Sequence, residues 1–174
     1  IDTERKSVRI RRADGSEYDE TYDRLLLSPG ATPVRPPLPG IDLPGIFTLR
    51  NVDDTDRIKS YLDSHNVRSA VVVGGGFVGL AMAENLHDTG AHVSLIEAGP
   101  QVLAPIDSSM ASLVHHHLAE QGIDLHLSTA VERFESTNSQ IAVVLNNGKR
   151  IVADLVLLSI GVRPSTELAQ AAGI

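Results

Sequence analysis

The chain has 174 residues, 42% of them hydrophobic and 21% charged, with a formal net charge of −7. This is a globular composition of about one domain's length, and its acidity argues against nucleic acid, which needs a basic face. The absence of cysteine removes disulfides, zinc thiolates and thiol catalysis from these residues. No apolar run approaches the roughly 20 residues of a membrane span, and nothing at Ile1 reads as a signal peptide, so a cytoplasmic setting is expected.

The chain opens with a hairpin. Val8 and Ile10 alternate with arginines, Asp14-Gly15 supplies the turn, and Glu17 to Tyr22 returns. Arg24 to Leu27 is a short apolar run expected as a buried strand, stopped by Ser28-Pro29-Gly30. Pro33 to Pro44 holds five prolines and Gly40 and reads as an extended connector. Asp53 and Asp54 then sit at the positive end of a short helix carrying Ile58, Tyr61 and Leu62.

From Ser69 the pattern changes. Ala70 to Val73 is a continuous apolar run, as in a parallel strand covered on both faces. A glycine turn follows, then a helix marked by Leu80, Ala83 and Leu86 and ended at Gly90. Val93 to Ile96 gives the next strand, and Asp107-Ser108 starts a helix with Met110, Leu113, Val114 and Leu118 on its apolar face, closed by Gly122. Ile123 to Leu127 is strand-like, Ile141 to Leu145 and Arg150 to Val152 flank an Asn-Asn-Gly turn, and Leu155 to Ile160 is the last strong run. The expected class is α/β: a Rossmann-like dinucleotide-binding domain with a parallel sheet and an inserted β-meander.

Two motifs stand out. Asp23, Leu26, Leu27, Ser28, Gly30 and Pro33 recur with the same offsets as Asp154, Leu157, Leu158, Ser159, Gly161 and Pro164, an internal repeat of a strand ending in a glycine turn. The second is Gly74-x-Gly76-x-x-Gly79, which follows a strand, opens a helix, and precedes Glu97 by 18 residues counted from Gly79. Gly74 allows the tight turn, Gly76 lets backbone amides approach a pyrophosphate, and Gly79 lets the helix pack on the strand, with Gly75 and Val78 between them. Glu97 is placed to accept hydrogen bonds from an adenine-ribose diol. With no cation in Ala98-Gly99-Pro100-Gln101 to meet a 2′-phosphate, NAD(H) is favoured over NADP(H). Phe77, inside the turn, is either a helix-packing residue or a lid on the nicotinamide side.

The segments Tyr22 to Pro33, Pro37 to Gly40, Val73 to Leu80 and Asp154 to Pro164 together give the chain its resemblance to the FAD-dependent pyridine nucleotide-disulfide oxidoreductases. Within them it most resembles the coenzyme A-disulfide reductases, NADH oxidases and NADH-dependent persulfide reductases. The resemblance implies an NAD(H) domain inserted in a flavin domain: residues 1–33 as a flavin-domain segment, 34–66 as connector and helix, 67–160 as the NAD(H)-binding domain, and 161–174 as the return. It implies that Ser28, Pro29 and Gly30 lie near FAD with Arg35 close by. Gly161 lies near the nicotinamide side, Phe77 gates between nicotinamide and flavin, and Ala98 and Ile160 are counted among the cofactor-binding residues. It also implies that the family's flavin fingerprint and redox cysteine lie upstream of Ile1, and a dimerisation domain beyond Ile174, in a homodimeric parent. Many relatives carry Glu where this chain has Ala81, which removes a polar contact to the nicotinamide from that position.

The expected function is therefore the NADH-binding portion of an enzyme that passes hydride from NADH to FAD and on to a disulfide, persulfide or oxygen-type acceptor. No residue of this piece is assigned a catalytic role, and alone it is expected to bind NAD(H) without turnover and without a flavin spectrum. The alternative is a stand-alone, non-catalytic NAD(H)-binding or sensing module. A hydroxyacid or aldehyde dehydrogenase would need its own base and substrate pocket, and the Leu155 to Pro164 repeat does not fit one. His115-His116-His117 is not expected to hold a metal, because adjacent helix residues diverge; His117 is expected to pack and the others to face solvent. The basic residues from Arg5 to Arg12 are expected to be solvated.

Overall fold

The computed structural model describes all residues from 1 to 174. In chain order the elements begin with β1 (Ser7–Arg11), β2 (Glu17–Thr21), β3 (Ala31–Pro33), β4 (Ile46–Thr48) and α1 (Val52–Ser64). There follow β5 (Ser69–Val73), α2 (Phe77–Asp88), β6 (His92–Ile96), α3 (Ser108–Glu120) and β7 (Asp124–His126). The chain ends with β8 (Val131–Thr137), β9 (Gln140–Leu145), β10 (Arg150–Ala153), β11 (Leu155–Leu158), β12 (Val162–Pro164) and α4 (Glu167–Ala171). These form two compact units, residues 33–162 and residues 1–32 with 163–174.

The larger unit has three layers. Its centre is a parallel five-stranded sheet of order β4-β11-β5-β6-β7. Helices cover one face: Ile58 of α1, Ala83 and Leu86 of α2 and Leu118 of α3 pack with Val72, Leu95 and Leu157. The other face packs against an antiparallel sheet of order β10-β9-β8, where Val71, Val73, Ile96 and Leu158 meet Phe134, Val143 and Leu145. Alternate residues of each central strand thus enter different cores, which is why those strands read as unbroken apolar runs rather than alternating ones.

Local signals explain the helix starts. Asn51 caps α1 in a reciprocal box: its side chain accepts from the Asp54 N–H at 2.9 Å while the Asp54 carboxylate accepts from the Asn51 N–H at 3.4 Å. In α3 the inner face is Ala111 and Leu118, buried, with Val114 and His115 half-buried, so Val114 and Leu118 of the expected face point inward and its other two residues do not. Met110 and Leu113 are 55% and 64% exposed, because the helical turn carries them to the flank. His117 is likewise exposed, and His115 takes the inward place. His116 ion-pairs with Glu120 at 3.1 Å, so the three imidazoles diverge.

Residues 34–66 contribute β4 and α1 to the larger unit. The proline-rich stretch bends rather than running extended throughout. Leu38, Ile41 and Leu43 lie on the second core, and Pro39 O accepts from the Phe134 N–H of β8 at 2.8 Å. Strands β3, β4, β8 and β12 and helix α4 lie outside the elements expected from sequence.

In the smaller unit β1 and β2 pair antiparallel around the expected turn. Its arginines are not merely solvated: Arg9 pairs with Asp19 at 2.9 Å and Arg11 with Glu17 at 2.7 Å. Arg24 to Leu27 is not a strand. No neighbouring strand accepts its backbone hydrogen bonds, and Leu26 is 90% exposed. No helix anywhere in the chain is long and apolar enough to cross a membrane.

His126 on β7 has its Nε2 buried without a partner. Burial, reinforced by the charge of Lys149 and opposed by Asp124, pushes its pKa below the usual 6.5. The unfolded chain therefore takes up this proton more readily than the folded one, and stability falls as pH drops through 6.5. Urea unfolding at pH 7.5 and 5.5 should give a smaller acid loss in His126→Gln than in the wild type; an identical loss would remove His126 as its source.

Candidate functional site

Val73, Ile96 and Leu158 close three neighbouring parallel strands and line one cavity of ≈ 580 Å³ at the carboxyl ends of the sheet. Strand β5 has β6 on one side and β11 on the other, so the cavity opens where the chain's winding reverses, the usual ligand crevice of an open α/β sheet.

The glycine turn forms its floor. Gly74 leaves β5 at φ +108° and donates its N–H to Ile96 O at 2.7 Å. A side chain there would run into the Ser159 carbonyl, so both the conformation and the space require glycine. Gly76 is the N-cap of α2, and no side chain caps that end. The first-turn N–H groups therefore need an acceptor from outside the helix, in the positive field of its dipole. Nothing lies within 4 Å of where a Cβ of Gly76 would stand, whereas one on Gly79 would strike the Gly74 carbonyl. The turn is thus open on the cavity side and closed on the sheet side.

Glu97, immediately after β6, holds this loop with both carboxylate oxygens. Oε2 accepts from the Gly75 N–H and Oε1 from the Gly99 N–H, each at 2.6 Å. A carboxylate has about four acceptor positions, so Glu97 keeps capacity for two further donors. The room at Gly76, the uncapped amides and the acceptor pair fit a dinucleotide: diphosphate at the helix end, ribose diol at the carboxylate.

Gly74, Gly75, Gly76, Phe77, Glu97, Ala98, Ile160 and Gly161, singled out in sequence, all line this cavity. Phe77 is 69% exposed at its rim and does not pack into the core. Val78 is half-exposed and Gly79 is buried on the inner face of α2; neither lines the cavity. Ser28, Pro29 and Gly30 are exposed in the smaller unit. The Arg35 Nη2 donates to Ile41 O at 2.9 Å and to the Asp42 carboxylate at 3.1 Å. Sequence reasoning missed the outer wall, Leu103, Ala104 and Pro105, in a stretch that Pro100 and Pro105 mark as a loop.

Over residues 1–174 the sequence matches the family described as pyridine nucleotide-disulphide oxidoreductase. The chain belongs to that family. An NADH oxidase of Methanocaldococcus jannaschii is 36% identical over 99% of the chain, which spans 39% of that relative. Among solved structures, reduced Bacillus anthracis CoADR-RHD superposes at TM-score 0.92 with 43% identity, over 99% of this chain and 31% of that one. A NAD-dependent persulfide reductase from A. fulgidus gives TM-score 0.90 and 38% identity, over 99% and 32%. The parallel sheet and its glycine turn are accordingly those of the Rossmann-like nucleotide domain of this family, and the chain spans about two fifths of the curated relatives' length.

Proposed function

We propose that the chain is the NADH-binding part of a flavin-dependent oxidoreductase whose acceptor is a disulfide, persulfide or oxygen-type molecule. The observation that carries this reading is Glu97 bridging the Gly75 and Gly99 amides at 2.6 Å beside an open, uncapped helix end. NADH, when bound, supplies a hydride. The chain's residues bind and orient: the first-turn amides of α2 hold the diphosphate, Glu97 accepts from the adenine ribose, and Ile160 and Gly161 flank the nicotinamide side. Phe77, exposed at the rim, acts there as the lid. Family membership supports Ser28, Pro29 and Gly30, with Arg35, as flavin-side residues.

Titration of NADH against the intrinsic fluorescence of the nucleotide tests this. NADH should bind much more tightly than NADPH, whose 2′-phosphate meets the Glu97 carboxylate with no cation at Ala98 to Gln101. Glu97→Ala should weaken NADH about tenfold or more, since it also frees two backbone donors, and narrow the gap. Equal affinity for both nucleotides, or none for either, overturns the assignment. The chain by itself should show no yellow flavin absorbance and no turnover.

A further inference from the structure

The outer wall of the nucleotide cavity is a strap, residues 98–106, which is neither helix nor strand. Its ends are tied to the site itself: Gly99 N–H to Glu97 Oε1 at 2.6 Å, and Leu103 N–H to Gly75 O at 2.8 Å. Between them Val102 is fully buried, and a Cβ on Gly75 would come within 2.8 Å of its Cγ1, so Val102 packs directly on the glycine turn. Leu103 sits at φ +50°, a conformation an L residue holds only where its surroundings over-determine it. Two ties come from outside the cavity: Gly99 O accepts from the Ser128 N–H at 2.8 Å, and the second reaches a side chain on α3. The Val102 N–H donates to Nε2 of His115 on α3 at 3.2 Å, and His115 does not line the cavity.

We infer that His115 is a positioning residue for nucleotide binding: as a neutral imidazole protonated on Nδ1, it holds Val102 and Leu103 against the glycine turn and so fixes the wall over the adenine-ribose side. This rests on the NADH reading above. The imidazole must accept at Nε2, because a backbone N–H can only donate. Its place on the inner face of α3, beside Ala111 and Leu118, transmits the position of a packed helix to a loop that has no secondary structure of its own. A leucine at position 115 would keep the packing and leave the Val102 N–H without an acceptor. A glutamine presents its side-chain carbonyl where Nε2 stood.

The chain as it stands provides the test. His115→Leu should weaken NADH about tenfold and speed hydrogen exchange at Val102 and Leu103, while amides of β5 and β6 keep their protection. His115→Gln should restore both to within about twofold of wild type. A merely structural histidine would change protection across the whole larger unit and would not be rescued by an acceptor. If the leucine variant binds NADH like wild type, or glutamine fails to rescue, the inference is overturned while the NADH site stands. Wild type that binds no NADH, yet shows the strap's amides protected by His115, overturns the NADH reading instead and with it the strap's role in nucleotide binding.

Discussion

Gly79→Ala should unfold or severely weaken the larger unit, whereas Gly76→Ala should fold normally and lose nucleotide. The two residues are three apart in one turn, yet they face opposite demands. A methyl group on Gly79 would strike the backbone carbonyl of Gly74, and backbone cannot swing aside as a side-chain tip can. Helix α2 would have to lift from β5, parting Ala83 and Leu86 from the core they share with Val72 and Leu95. Overpacking of this kind costs roughly 3 kcal/mol or more, a large share of the stability of an ordinary domain. At Gly76 nothing lies within 4 Å of the added methyl, so the cost to folding is about 1 kcal/mol at most, the N-cap preference for glycine over alanine. The methyl would instead fill the space proposed for the diphosphate and hold it off the helix amides. Urea unfolding of both variants, paired with NADH titration, checks the split. Gly76→Ala should bind NADH at least tenfold more weakly with its unfolding midpoint nearly unchanged. If it binds as wild type does, the diphosphate does not lie on this turn.

How far the residues announce this architecture depends on what each segment packs against. Strands β5, β6 and β11 are legible because cover on both faces removes the need for any polar position, leaving apolar runs too short for helices. Strand β8 is not. Glu132, Arg133 and Glu135 fill its open face, and the register shifts between Val131 and Arg133, so no clean alternation survives. The glycine turn and Glu97 are legible because their chemistry depends on fixed spacing along the chain. The strap and His115 depend instead on a contact between a loop and a helix 13 residues apart, which no motif encodes. Its one trace is helical register: His115 follows Ala111 by four and precedes Leu118 by three, and both are buried, so the first histidine of the triplet faces inward and His117 does not.

The internal repeat isolates context most sharply, and it yields the second large effect. Asp154 begins the second copy. Its Oδ2 accepts from the N–H groups of Arg68 and Ser69 and from the Ser69 hydroxyl, each at 2.9 Å, and Oδ1 accepts from the Gln140 side-chain amide at 2.8 Å. One carboxylate thus fastens the start of β5 and the meander to the corner before β11. Burial pushes its pKa up, but the donors Gln140, Arg68 and Ser69 outweigh burial and hold it below the usual 3.8. Asp154→Ala would strand two backbone donors and should cost about 2–4 kcal/mol at neutral pH. Asp23 occupies the same place in the first copy, is exposed, and precedes leucines with no neighbouring strand; Asp23→Ala should stay within about 0.5 kcal/mol of wild type in this chain. The pH dependence follows from the direction of the shift. A carboxyl with a depressed folded pKa contributes stability above its unfolded value, and that contribution is lost as pH falls through the lower folded value. The difference between wild type and Asp154→Ala should therefore be full at pH 7 and shrink as pH falls below 3.8. Denaturant unfolding of both variants at pH 7 and pH 3 measures it. Equal losses at the two aspartates, or a gap at position 154 that does not shrink in acid, would mean that neighbouring strands do not decide what this repeated motif contributes.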